Sequence, residues 1–163
     1  MANFKRIHTI YSETAKDNNI NNYPGVDINK DPCLTENFIW TNLQNLYQNC
    51  LNPIINHFGS DFIRITSAYK SSELERFLGG NPSSQHVYGF AADIISVKHP
   101  TSMIWNWCFE NLPLWNQLIW EYPERGIFTN LDQDFSWIHI SYIDDNNPKT
   151  TSLSSKIKKL HKK

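Results

Sequence analysis

Ser83-Ser84-Gln85-His86-Val87-Tyr88-Gly89-Phe90-Ala91-Ala92-Asp93 is answered some way down the chain by Trp137-Ile138-His139. The two stretches supply two imidazoles and a carboxylate, a ligand set of the kind that holds a catalytic zinc and leaves a fourth position open. Ala91 to Val97 and Ser136 to Tyr142 both read as strands. In the first, Asp93 shares a face with Ala91 and Ile95, while Ala92 and Ile94 point the other way. In the second, His139 shares a face with Trp137 and Ser141, while Ile138 and Ile140 point into the opposite layer. One face is chemical and one is core. His86 precedes its strand on a turn that Gly89 can relax, which brings its ring to the side of Asp93.

Further elements extend this pair of strands. Ser12-Glu13-Thr14-Ala15-Lys16 opens a short helix that ends in the asparagine-rich stretch Asn18 to Asn22 and the turn at Pro24-Gly25. A longer helix starts near Thr35. Its apolar residues, Phe38, Ile39, Leu43, Leu46, Tyr47, Cys50, Leu51, Ile54 and Ile55, recur at helical spacing, and Gly59 stops it. Pro53 should bend or interrupt it. Phe62 to Ser67 reads as a strand, Ser71 to Phe77 as a short polar helix, Thr101 to Asn111 as a second substantial helix and Gln117 to Glu121 as a strand. The expected class is α+β, a small, largely antiparallel sheet packed on helices.

The chain of 163 residues fits one domain, expected over residues 1–155, with a basic tail over 156–163. With 15 basic and 16 acidic side chains no net field points to nucleic acid. Five of the lysines crowd into the last eight residues, which read as a solvated, frayed terminus. Cys33, Cys50 and Cys108 show no C-x-x-C spacing, so each is expected to be a buried or half-buried thiol. The N-terminus lacks the continuous apolar core of a secretory signal, and no run is long enough to span a bilayer. Synthesis in the cytoplasm as a soluble monomer is the expectation. His8, His57, His99 and His161 have no ligand-like company and are expected at the surface.

Taken singly, an Asp at a strand start serves most often as a turn or cap residue, and a His beside Trp as a hydrogen-bonded core group. The ordered combination favours a metal, and it carries a family resemblance. S-S-Q-H-x-x-G-x-A-A-D with a later W-x-H resembles the M15 peptidases, the zinc D-alanyl-D-alanine carboxypeptidase group that shares its fold with the Hedgehog signalling domain. The resemblance is nearest to the compact M15A-type enzymes common in phages. It extends to Ser12-Glu13-Thr14-Ala15, Leu51-Asn52-Pro53-Ile54, Thr66 to Leu74, Gly79-Gly80 and Gln117 to Glu121.

The resemblance implies one zinc per chain on His86, Asp93 and His139, and peptidoglycan stem peptides or cross-links as substrate. It implies action on the cell wall, with release through a holin-like pore or carriage by a virion. Two departures stand out. Many relatives place a carboxylate three residues before the last His, where this chain has Ser136. Glu121, at the end of the strand expected to pair with that of His139, is the candidate base, and Asp134 the runner-up. Relatives usually carry Arg after the Tyr, where this chain has Lys70, which keeps the charge but loses the planar fork. Lys70 is assigned to charge developing on the substrate oxygen. Tyr69 reads either as a neighbour of the ligand or as a core aromatic. Ser84 and Gln85 are candidates to bind substrate or to support a ligand ring. The competing function is a non-catalytic wall-binding protein or a virion component that keeps its metal.

Overall fold

The computed structural model describes residues 10–122 and 136–144. Helix α1 (Glu13–Asp17) begins where the Ser12 hydroxyl accepts the Ala15 N–H, filling one of the donors a first turn leaves open. Helix α2 (Glu36–Leu46) begins in the same way, with Thr35 Oγ1 accepting from the Phe38 N–H. Its Ile39, Leu43 and Leu46 form a buried stripe.

The helix does not run straight on to Gly59. Tyr47–Leu51 form a π-helical turn, and helix α3 (Asn52–Phe58) follows with Pro53 in its first turn. Pro53 has no N–H to give the carbonyl one α-helical turn back, and the wider turn, with the Asn52 N–H reaching Tyr47 O, accommodates the missing bond without breaking the rod. Gly59 ends the rod at φ 98°, a conformation that favours glycine.

Four strands follow: β1 (Ile63–Ser67), β2 (Ala91–Ser96), β3 (Gln117–Glu121) and β4 (Trp137–Ser141). They make one antiparallel sheet in the order β1-β2-β4-β3. Helix α4 (Ser72–Phe77) lies between β1 and β2, and α5 (Thr101–Asn111) between β2 and β3. The class is α+β, as expected.

Register sorts the side chains. Ala92 lies opposite Ile140, and Ile140 opposite Leu118; Ile94 lies opposite Ile138 and Ile65. These residues share one face and pack on Ile39, Leu43, Leu46, Ile54 and Ile104 of the helices. At ~1.5–3 kcal/mol for each fully buried aliphatic side chain, this face supplies the main drive for folding. On the other face Asp93 lies opposite His139, which lies opposite Ile119. A bulge between Ile65 and Ser67 sets Ser67 beside Asp93 and leaves Thr66 to donate its hydroxyl to Asp93 O over 3.1 Å.

Among the described residues no helix is long and apolar enough to cross a membrane. Cys33 is half-buried, Cys50 and Cys108 are buried, and all three are free thiols. Burial pushes the Cys50 and Cys108 thiols up to about 12, which leaves them inert.

Candidate metal centre

His86 stands on the turn between α4 and β2, and that turn is pinned from three sides. Asn42 on α2 donates its amide to Tyr88 O over 2.9 Å. The Ser84 hydroxyl accepts the His86 N–H at 3.3 Å. Gly89 takes φ 72° so close to α2 that a Cβ there would lie 2.8 Å from Ile39 O. The His86 ring is buried, and its Nδ1 lies 2.6 Å from Ala68 O. A carbonyl oxygen only accepts, so Nδ1 carries the proton and the Nε2 lone pair faces the site.

That lone pair meets Asp93 Oδ1 at 3.4 Å. His139 brings its Nδ1 to the same oxygen at 3.1 Å, while its Nε2 faces the amide oxygen of buried Gln85 at 3.3 Å. One ligand atom from each of His86, Asp93 and His139 lies within 4.8 Å of the others. Zinc bonds of about 2.0–2.1 Å in a tetrahedron put neighbouring ligand atoms roughly 3.3 Å apart, close to the two measured edges. With His86 Nδ1–H and His139 Nε2–H both turned outward to acceptors, the inward nitrogens and Oδ1 are three lone pairs aimed at one another. They need a cation between them, a proton or a metal. Where protons on the two imidazoles take the cation's place, burial pushes the Asp93 carboxyl up, but hydrogen bonds from the protonated His139 and His86 and their positive charge outweigh it and hold the group well below the usual carboxylate range. The residues present fit a zinc ion.

The matching family model is that of peptidase M15, over residues 13–119. The chain belongs to the M15 peptidase family. No match was found among curated proteins or among solved structures. The matched span holds His86 and Asp93 but ends before Glu121 and His139, which register alone brings to the site. M15 peptidases are generally zinc-dependent, and the His-Asp-His group of this M15 peptidase could hold such an ion.

The other candidates differ in how near they lie to this centre. Glu121, half-buried, lies opposite Trp137 on the face that carries His139, one strand repeat of ~7 Å along. Ser136 is buried at the head of β4. Asp134, His8, His161 and the 156–163 tail lie outside the described residues. Lys70 reaches the site, with Nζ 3.7 Å from Asp93 Oδ2. Tyr69 turns into the core at 2% exposure, its hydroxyl donating to Tyr23 O at 3.4 Å, so its surroundings are those of a core aromatic. His57 is exposed and stacks on Trp107; His99 is half-buried against Phe58 and Phe62.

Sequence reading missed the polar buttress behind Lys70. Asn22 accepts the Ser71 N–H at 2.6 Å and donates to Ile10 O and Tyr69 O. Buried Asp27 accepts from the Ser72 N–H and hydroxyl and from Lys30. It also missed Glu75, a buried acid within ion-pair distance of Lys70. The only trace of Glu75 in the sequence is the Gly79-Gly80 pair that follows it.

Proposed function

We propose that this M15 peptidase is a zinc enzyme that hydrolyses an amide bond in peptidoglycan stem peptides or their cross-links. What carries the proposal is the convergence of His86 Nε2, Asp93 Oδ1 and His139 Nδ1 on one point between strands β2 and β4. When bound there, zinc supplies Lewis acidity toward the scissile carbonyl and makes hydroxide available near neutral pH. The protein's own residues do the rest. The Ala68 carbonyl and the Gln85 amide oxygen hold the two imidazoles with their lone pairs inward. Glu121 takes the proton of the attacking water and passes it to the leaving amine. The Lys70 ammonium adds positive charge beside the site and favours anionic character in the transition state. Ser84 braces the His86 turn from behind, which makes it a support for the ligand.

The second reading, a wall-binding protein that keeps its metal, draws on Ser136 standing where many relatives have a carboxylate. One experiment separates the two: hydrolysis of purified peptidoglycan by metal-loaded and chelator-stripped protein, with products weighed by mass spectrometry. Metal-dependent release of new amines is the expected result, and the product masses name the bond. Tight zinc with no release would sink the peptidoglycan hydrolase.

A further inference from the structure

Glu75 sits on the inward side of α4 at 7% exposure, and its Oε2 accepts no hydrogen bond among the described residues. A buried carboxylate oxygen without a hydrogen bond is costly, so its surroundings need a physical reason. The one cation within ion-pair distance among the described residues is Lys70, whose Nζ lies 3.7 Å from Glu75 Oε2 and also 3.7 Å from Asp93 Oδ2. At that spacing the ammonium is shared by two carboxylates and hydrogen-bonded to neither. Asp93 is thereby divided, with Oδ1 toward the two imidazoles and Oδ2 toward Lys70.

We propose that Glu75 is a positioning residue for the metal centre: it holds the Lys70 ammonium back from Asp93, so that Asp93 keeps its charge for the metal and offers it through Oδ1 alone. The proposal rests on the assignment of His86, Asp93 and His139 as metal ligands. Gly80 belongs to the same device. A Cβ at Gly80 would lie 2.6 Å from Glu75 Oε1 and 2.8 Å from its Cδ, so the second glycine of the Gly79-Gly80 pair makes room for the carboxylate. Without the Glu75 charge, Asp93 becomes the sole carboxylate among the described residues in reach of Lys70. The ammonium then closes on Oδ2 and competes with the metal for the same anion.

The test is zinc affinity by competition with a chromophoric chelator on the full chain, with thermal melting of each metal-free variant alongside. Glu75→Gln should bind zinc about tenfold more weakly than wild type, the scale of a lost partner behind a ligand. Adding Lys70→Met to Glu75→Gln removes the competitor and should return affinity to within about threefold of wild type, the opposite of what two independent losses would do. Gly80→Ala displaces the carboxylate without changing any charge and should weaken zinc in the same direction. Unchanged affinity in both Glu75→Gln and Gly80→Ala, or a double variant no better than Glu75→Gln, would overturn the proposal even if melting falls. Wild-type protein that binds no zinc at all would instead overturn the ligand assignment beneath it.

Discussion

His139 lies 3.3 Å through its Nε2 from the amide oxygen of Gln85, and that contact decides which nitrogen of the ring faces Asp93. Gln85 is buried, and among the described residues its own Nε2 finds no partner. The side chain is held for its oxygen. A ring with Nε2 protonated has its Nδ1 lone pair free for a cation.

Gln85→Ala removes that acceptor and lets the ring rotate or change tautomer. Zinc affinity should fall by about 10- to 100-fold while the melting temperature of the metal-free protein changes little. Isothermal titration of wild type and variant at one pH checks this, and equal affinities would separate Gln85 from the metal centre.

Much of this centre was legible in the sequence because strand parity is strict. Once Ala91 to Ser96 and Trp137 to Ser141 are strands, Asp93 and His139 must share a side with the residues they pair with, and the structure pairs them with each other. Helix starts were legible for a similarly local reason, since Thr35 and Ser71 accept N–H groups three residues on. Pro53 announced an interruption, but the π turn that absorbs it depends on how the rod packs. The buttress left no local sign: Asn22 bonds Ser71 across 49 positions and Asp27 bonds Ser72 across 45. Glu75 was hidden because the six residues of α4 are too few for periodicity to tell an inward acid from an outward one.

Glu121 stands on the ligand face without belonging to the His-Asp-His group, and the proposed function gives it the proton transfer. Glu121→Gln keeps the shape and removes the basicity. We expect kcat on a peptidoglycan substrate to fall by on the order of a hundred- to ten-thousand-fold with zinc affinity unchanged. A rate within a few-fold of wild type would assign the proton transfer to another group.

Gly89 joins two demands at one position. Its φ of 72° disfavours any side chain, by roughly 1–2 kcal/mol, and a Cβ would press to 2.8 Å from Ile39 O and 3.2 Å from Ile39 Cγ2. The helix backbone cannot yield as a side-chain tip would. Gly89→Ala should therefore cost at least about 2 kcal/mol, seen as a drop on the order of 5 °C in the thermal midpoint. Because the same turn carries His86, zinc affinity should fall with it. A variant that melts like wild type would show the turn to be loosely held.

Asp27 gives the stability a pH signature. Burial pushes its carboxyl up, but hydrogen bonds from Lys30 and from the side chain and backbone of Ser72, with the Lys30 charge, pull it further down, so its folded pKa lies below the ordinary value. A carboxyl depressed on folding stabilises the native state at all pH above its unfolded pKa of about 3.9, and that contribution is lost as pH falls through the lower folded value. Asp27→Ala should therefore destabilise the protein by about 2 kcal/mol at pH 7, the scale of charge-assisted hydrogen bonds left unmade. Urea unfolding of wild type and variant should give curves that draw together as the pH is lowered below about 4. A gap that stays constant down to pH 2 would mean that Asp27 contributes through packing, and that its charge adds nothing to the clamp on the turn that carries Lys70.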